Sequence, residues 1–301
     1  MILGIDIGGS HIKSAIIDEN YNLSEKRSTD TPQETTPNNL IQLITEIIQS
    51  YAQDFDFEKV GIGYPAAIDK DGNILDTPNI KGVNNISLKE QISQKTNKSV
   101  YVINDANAAA LSELKIGVGV DLNNFIMLTL GTGIGGSIVI NNNLFTGDLG
   151  TAGEFGFSLA NFNTNEVKIF EKVFSKSSIL EIANKNSALF PNTIFNGIDE
   201  FTPKELSDAV KIGDDLAILT LSESGLLLGR GLASIVNILG ITNVIFGGGL
   251  SKLNEILFIK AKSEMNAYLI EPLKGKVHFL YSKYENDSGM IGAAINAENL
   301  K

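Results

Sequence analysis

The 301-residue chain contains no cysteine, which excludes disulfides, thiolate nucleophiles and cysteine-based zinc sites. No uninterrupted apolar run reaches the roughly 18 residues that a membrane-spanning helix needs. The N-terminus lacks the basic flank of a secretory signal peptide and carries an acid at its sixth position. Together these absences predict a protein of the cytoplasm with no membrane partner.

Basic residues are also scarce, since 24 Lys and Arg stand against 35 Asp and Glu and give a net charge of −11. Nucleic acids and other long polyanions require a basic surface, so the charge argues against such partners. A single nucleotide remains compatible, because it needs only local backbone donors, a cation and at most one lysine. The length predicts about two domains, and 43% hydrophobic residues are enough for a core.

A glycine turn follows the first predicted strand. That strand ends at Asp6, and Gly8-Gly9-Ser10 separates it from a second strand that carries Lys13. Glycines let backbone N–H groups approach a ligand without an intervening Cβ, and Ser10 and Lys13 are able to reach phosphate oxygens. Asp6 is suited to hold Mg²⁺ through water, because hard cations prefer oxygen ligands. A plain glycine hairpin explains the same short pattern.

A second glycine turn, Gly131-Thr132-Gly133, also lies between two predicted strands. The strand–turn–strand order of residues 4–18 is thereby repeated at 127–140. One such unit in each half of the chain indicates two related lobes that face each other across a cleft. Thr132 and the N–H groups of this turn offer a second set of donors to phosphate.

The boundary between the lobes is expected at the glycine-rich stretch 117–121. This gives an N-terminal lobe over 1–116 and a C-terminal lobe over 117–287. A helix rich in small residues at 288–301 is expected to pack back on the N-terminal lobe.

An acid stands where a strand meets a helix. The apolar residues 100–103 run directly into Asn104 and Asp105, and an alanine-rich helix follows at once. An acid at the carboxyl end of a buried strand is positioned for chemistry, although helix capping explains either residue equally well. Gly248 and Gly249 likewise join a strand to a helix, a place that suits the phosphate–ribose side of a nucleotide.

Three further side chains are able to bind ligand hydroxyls. Asn79 lies in a proline-containing loop, Glu154 lies between glycines, and Glu181 lies on a predicted helix. Each also has an ordinary structural explanation, as a turn residue, a solvated loop acid and an exposed helix acid.

Six segments in one order resemble the ROK family of bacterial sugar kinases and repressors, within the sugar kinase/actin/Hsp70 superfamily. They are GIDIGGSHIK (4–13), GIGYPAAID (61–69), VINDANAAALSE (102–113), LTLGTGIGGSIVI (128–140), GTAGEFGF (150–157) and VIFGGGLS (244–251). The resemblance covers nearly the whole chain and implies an α/β protein with the two-lobed, actin-like ATPase (ribonuclease H-like) fold. It implies a glucokinase-like enzyme that phosphorylates a hexose hydroxyl with ATP and Mg²⁺ and, by analogy, forms a homodimer.

The resemblance also implies a role for each matching residue. Asp105 is the general base that takes the proton of the attacking sugar hydroxyl, and Asp6 lies near Mg²⁺. The side chains that bind sugar hydroxyls are Asn79, Asn104, Glu154 and Glu181. The phosphates are lined by Gly8, Gly9, Ser10, Lys13, Gly131, Thr132 and Gly133, and the adenosine by Gly248 and Gly249.

The sequence departs from the family pattern in two places. The cysteine-rich zinc site of many members is impossible here, so residues 158–180 must hold Glu181 by packing alone. The family's histidine in the GE-G-H motif is replaced by Phe157, which neither hydrogen-bonds a hydroxyl nor ligates a metal. Phe157 therefore bears on which sugar is bound more than on the phosphoryl-transfer chemistry.

Three alternatives follow. Phe157 suits an N-acetylated amino sugar as acceptor, or a non-catalytic sugar-binding regulator of the same family. Residues 26–37 resemble those of polyphosphate-dependent glucokinases, although the net charge disfavours a long polyanion groove. A repressor needs a helix-turn-helix module ahead of the first glycine motif, which starts at Gly4, so DNA binding is not expected.

Overall fold

The computed structural model describes residues 1–32, 36–76, 87–163, 166–198 and 200–299. The chain divides into two compact units, the first formed by Met1–Asn123, Ser137–Gly153 and Ser282–Lys301 and the second by Asn124–Gly136 and Glu154–Tyr281. The first unit thus contains the C-terminal helix. It also contains the hairpin segment Ser137–Gly153, which the sequence-based division assigns to the C-terminal lobe.

The described chain contains both strands and helices. The strands are β1 (Ile2–Ile7), β2 (His11–Ile17), β3 (Leu23–Asp30), β4 (Lys59–Tyr64), β5 (Ala67–Ile68), β6 (Ile74–Asp76), β7 (Ser99–Asn104), β8 (Phe125–Leu130), β9 (Ile134–Ile140), β10 (Asn143–Phe145), β11 (Leu159–Asn163), β12 (Glu166–Ile169), β13 (Asn243–Gly247) and β14 (His278–Tyr281). The helices are α1 (Pro37–Ala52), α2 (Leu88–Thr96), α3 (Asp105–Ile116), α4 (Phe170–Val173), α5 (Lys176–Asn186), α6 (Pro203–Lys211), α7 (Asp215–Leu239), α8 (Glu255–Tyr268) and α9 (Ser288–Asn299).

The first unit is built on a five-stranded sheet in the order β3-β2-β1-β4-β7. Strands β1, β4 and β7 are parallel, and β2 returns antiparallel to β1. These three parallel strands are almost entirely apolar, as expected where both faces of a sheet are covered. Their carboxyl ends therefore lie at one edge of the sheet, where the first glycine turn and the start of α3 also lie.

Helix α9 packs against this sheet and against α3. Two glycines in the strands make the approach possible, because a Cβ at Gly4 or Gly61 would overlap the backbone of Met290 or Ala293. Small residues on both sides thus let α9 lie directly on β1 and β4, within one unit.

The second unit contains the parallel strands β8, β13 and β14, with β13 paired to both neighbours. Helix α7 packs along α8, and a Cβ at Gly225 or Gly229 would overlap the backbone of α8 at Leu257 or Ala261. These α7 glycines thus allow the two helices to pack closely. By length and composition alone α7 would suffice to cross a membrane, but 56% of its most apolar window is buried inside the structure.

Two local features of the second unit depend on details of its sequence. Helix α8 begins at Glu255, because Gly249–Lys252 form a 3₁₀ turn and the side chain of Asn254 caps the helix at the amide of Ile256 (3.1 Å). The polar stretch 161–176 contains β12 and α4. This stretch also contains two aromatic side chains, Phe170 and Phe174, that are fully buried.

Candidate active site

Two carboxylates occupy the strand-end edge of the first unit. Asp6 in β1 pairs in register with Gly63 of β4, the strand between β1 and β7, and Asp105 follows directly after β7 on the other side of β4. Because Gly63 has no side chain, nothing from β4 fills the space beside the Asp6 carboxylate. The two acids therefore lie close enough for their charges to interact.

Burial raises the pKa of both acids. For Asp6 burial is the main cause, repulsion by Asp105 adds to it, and the positive charge of Lys13 opposes it, with the pKa raised to about 6. Burial also raises the pKa of Asp105, against the hydrogen bond that its Oδ1 accepts from the amide of Ala106 at 2.8 Å. Two carboxylates with raised pKa values at one site are typical of catalytic or cation-binding centres rather than of helix caps.

Helix α9 closes one side of this pair. Its second residue, Gly289, lies against Asp6, and a Cβ there would stand 2.6 Å from Oδ1. A helix N-terminus carries partial positive charge, so it favours the ionised form of a nearby carboxylate. Glycine at this position is what leaves room for the carboxylate.

The first glycine turn is fixed by hydrogen bonds from Thr31, the residue that follows β3. Thr31 donates from its hydroxyl to the carbonyl of Gly8 (2.7 Å) and from its amide to the carbonyl of Ser10 (2.9 Å). Gly9 and Ser10 are exposed at the tip. Lys13, in β2, reaches the carbonyl of Asn286 at 3.4 Å. The turn is therefore fixed in place with its tip open to a ligand.

Asn104 caps α3, and Asp105 is its first helical residue. The side-chain oxygen of Asn104 accepts from the amide of Asn107 (3.0 Å), and its Nδ2 donates to the carbonyl of Ala66 (3.0 Å). The capping role that the sequence leaves open between two residues thus belongs to Asn104. Asp105 needs no capping role to explain its position.

A cavity of about 370 Å³ adjoins Asn104 in the first unit, and Asn107, Thr146 and Gly150 also line it. Asn107 is only 5% exposed, and its Oδ1 has no hydrogen-bond partner. A buried amide oxygen left unpaired costs about 1–3 kcal/mol. Asn107 was not among the residues predicted from the sequence, although it stands one helical turn after Asn104, on the same face.

In the second unit, two glycine loops follow neighbouring parallel strands. β8 leads into Gly131-Thr132-Gly133 and β13 into Gly248-Gly249, with Gly247 and Thr129 paired in register. Gly248 has a φ of +79°, and a Cβ there would lie 2.8 Å from the amide nitrogen of Leu130, so only glycine fits. The structure brings these five predicted ligand residues to one edge of one sheet.

Helix α5 begins at the same loop, since the amide of Lys176 donates to the carbonyl of Gly131 at 2.9 Å. Glu181 is exposed one and a half turns further along this helix. The helix is anchored by a capping box between Ser175 and Ser178 and by the buried Phe174. Packing and capping thus hold Glu181 in a region without cysteine.

Glu154 directly precedes a short 3₁₀ turn in the second unit, and Phe157 is the last residue of that turn. Glu154 is exposed, and 59% of Phe157 is accessible. The turn lies against the start of β9, because a Cβ at Gly156 would stand 2.5 Å from the carbonyl of Ile134. An exposed phenylalanine here offers an apolar surface beside a carboxylate. Asn79, the remaining predicted sugar ligand, lies outside the described residues.

The sequence profile of the ROK family matches residues 2–299. The chain belongs to the ROK family. Its relatives include the glucokinase of Thermotoga maritima, 29% identical over 97% of this chain and 96% of the relative. The N-acetylmannosamine kinase of Haemophilus influenzae is 27% identical over 97% of this chain and 93% of the relative. Among solved structures, a ROK family glucokinase from Streptomyces griseus in complex with glucose and AMPPNP is 27% identical, with a TM-score of 0.86 and 99% of both chains covered.

These likenesses confirm the family and the two-domain, actin-like ATPase fold that the six segments predict. They also confirm that this ROK protein is a sugar kinase.

Proposed function

We propose that this ROK sugar kinase transfers the γ-phosphoryl group of ATP to a hexose, as a glucokinase does, with Asp105 as the general base. The observation that carries the proposal is the pair of interacting carboxylates, Asp6 and Asp105, at the carboxyl ends of parallel strands. Glucokinases are among the relatives that align over nearly the whole chain.

The environment of Asp105 suits a base. Burial raises its pKa, which strengthens its attraction for the hydroxyl proton. The hydrogen bond from the Ala106 amide fixes one carboxylate oxygen and so orients the side chain. Asp105 would accept the proton of the sugar hydroxyl as that oxygen attacks phosphorus, a contribution of roughly 10²–10⁴-fold.

The residues present fit Mg²⁺ and ATP. Asp6 supplies hard carboxylate oxygens, and the neighbouring Asp105 makes the site electronegative, which matches a divalent cation that keeps part of its water shell. Mg²⁺ would neutralise phosphate charge when bound. Exposed backbone N–H groups at Gly9, Thr132 and Gly249 would bind phosphate and ribose oxygens.

On the sugar side, Asn104, Glu154 and Glu181 would bind hydroxyls, together with Asn79. We add Asn107 to this set because its buried Oδ1 is unpaired beside the cavity that Asn104 lines. A sugar hydroxyl would donate to that oxygen.

An N-acetylated amino sugar is the second candidate acceptor. An N-acetylmannosamine kinase is among the relatives that align over nearly the whole chain. The exposed Phe157 offers an apolar surface against which an acetyl methyl group would pack. We further propose that the enzyme works in the cytoplasm and forms a homodimer.

The decisive experiment measures phosphate transfer to glucose, mannose, N-acetylmannosamine and N-acetylglucosamine, with ATP and with polyphosphate, in the presence and absence of Mg²⁺. The wild type is compared with Asp105→Asn and with Asp54→Asn, whose carboxylate is exposed and 3.8 Å from Arg27. We expect fastest turnover of glucose with ATP, loss of activity in the first variant and no change in the second. Retention of most activity by Asp105→Asn would refute the base, and a preference for N-acetylmannosamine would select the second candidate.

A further inference from the structure

Glu113, in the last turn of α3, is a fully buried carboxylate. Its Oε1 accepts from the Ser282 hydroxyl (2.7 Å) and from the amides of Lys283 (3.0 Å) and Tyr284 (3.4 Å). Its Oε2 accepts from the amide of Val118 at 2.9 Å. These four donors are a hydroxyl and three backbone amides, so uncharged hydrogen-bond donors surround both oxygens of the buried side chain.

The partners of Glu113 lie in two stretches that are distant in sequence. Val118 lies shortly before Asn123, the residue after which the chain first leaves the first unit. Ser282 is the residue at which the chain returns to that unit for the last time. Gly117 is required for this arrangement, because a Cβ there would overlap Glu113 Oε2. A side chain needed only to fill space would be apolar, since a buried carboxylate costs several kcal/mol to desolvate.

The same helix carries Asp105 at its other end, about 12 Å away along the helix axis at 1.5 Å per residue. Residues 282–284 lead directly into α9, and α9 touches α3 where Gly292 lies on the backbone of Ala108. It also touches the carboxylate of Asp6 through Gly289. Glu113 therefore ties the C-terminal end of α3 to the segment that leads into α9, which lies beside the Asp6 carboxylate and against the helix that carries Asp105.

We propose that Glu113 is a positioning residue, which fixes α3 against α9 and thereby sets the place of Asp105 relative to Asp6. This inference rests on the proposed role of Asp105 as the base. Glu113 itself touches neither sugar nor nucleotide in this assignment. Its loss should reduce turnover without abolishing substrate binding.

The test compares Glu113→Gln with a milder variant and a matched control. Ser282→Ala removes only the hydroxyl donor at 2.7 Å. The control, Asp214→Asn, lies in the second unit, where a carboxylate that is 8% exposed accepts from the Thr193 hydroxyl (2.8 Å) and the amides of Ile194 and Ala217 (2.9 Å each). It is thus another buried carboxylate bound by neutral donors, but it belongs to the other unit.

We expect kcat of Glu113→Gln to fall on the order of 10- to 100-fold, as for a reacting group displaced by about 1 Å, with a smaller change in the KM for sugar. Ser282→Ala should show a smaller loss of the same kind. Asp214→Asn should lower the unfolding midpoint but keep the wild-type kcat at a temperature where all variants are folded.

A double variant separates this inference from the proposed base. If Glu113 acts through Asp105, then adding Glu113→Gln to Asp105→Asn should lower kcat no further. Multiplying losses would overturn the inference, as would a wild-type kcat in both Glu113→Gln and Ser282→Ala, or an equal kcat loss in Asp214→Asn. Wild-type activity of Asp105→Asn alone would instead refute the proposed base.

Discussion

Replacing Asp6 with asparagine should make the protein more stable at neutral pH while impairing catalysis. The folded state raises the pKa of Asp6 from its ordinary value of 3.8 to about 6, mainly by burial. The folded protein therefore binds this proton more tightly than the unfolded chain does. The stability that protonation of Asp6 gives the folded protein is fully present below about pH 3.8 and is lost as the pH rises through 6.

The size of the effect follows from the two pKa values. Their separation, at about 1.4 kcal/mol per pH unit, corresponds to about 3 kcal/mol of unfolding free energy. Asparagine does not titrate, so the stability of Asp6→Asn relative to the wild type should increase by about this amount between pH 3.8 and 6 and then level off.

Urea unfolding followed by far-UV circular dichroism measures this difference, because the chain contains no tryptophan for fluorescence. The control is Asp18→Asn, since a hydrogen bond from the Asn22 side chain lowers the pKa of Asp18 and the sign is reversed there. That variant should become less stable relative to wild type as the pH rises. A stability difference for Asp6→Asn that does not change with pH would refute the electrostatic account of the carboxylate pair.

Three more substitutions test other parts of the site. Phe157→His should shift relative kcat/KM toward glucose and away from N-acetylated sugars, and an unchanged ratio in the acceptor panel would exclude Phe157 as a specificity residue. Asn107→Leu should raise the KM for sugar and stabilise the ligand-free protein by about 1–3 kcal/mol, because it removes a buried unpaired oxygen. Steady-state kinetics measure the KM and thermal unfolding without sugar measures the stability; an unchanged KM would remove Asn107 from the sugar site. Gly248→Ala should destabilise the protein by more than about 1 kcal/mol and raise the KM for ATP, because φ is +79° and the Cβ would overlap Leu130. Calorimetry measures the stability and ATP titration of the activity measures the KM; wild-type values of stability and KM would contradict the loop geometry.

The glycine turns were predictable from local sequence. Turns such as Gly8-Gly9 and Gly131-Thr132-Gly133 depend on neighbouring residues, and the strands around them formed where the apolar runs predict. The capping box of α6, between Thr202 and Glu205, is local in the same sense. Such features need only residues a few positions apart, so a single sequence specifies them.

Other features depended on which distant segments meet. Whether Asn104 or Asp105 caps α3 was undecided until the side-chain geometry showed Asn104 bonded to the Asn107 amide. Asn107 itself is an ordinary helix residue by sequence, and only the packing around it makes its oxygen buried and unpaired. Burial of a polar group is a property of its whole surroundings, which local spacing does not encode.

The sequence by itself determined the family, the order of strands and glycine turns, and Asp105 as the candidate base. Only the tertiary structure decided that Asp6 and Asp105 share one sheet edge, because that depends on β1 and β7 both pairing with β4 across intervals of some fifty and forty residues. It also decided that Glu113 is buried against residues 282–284. The physical reason is that strand pairing and burial are set by contacts between segments far apart in the chain, whereas turns and caps are set by neighbours.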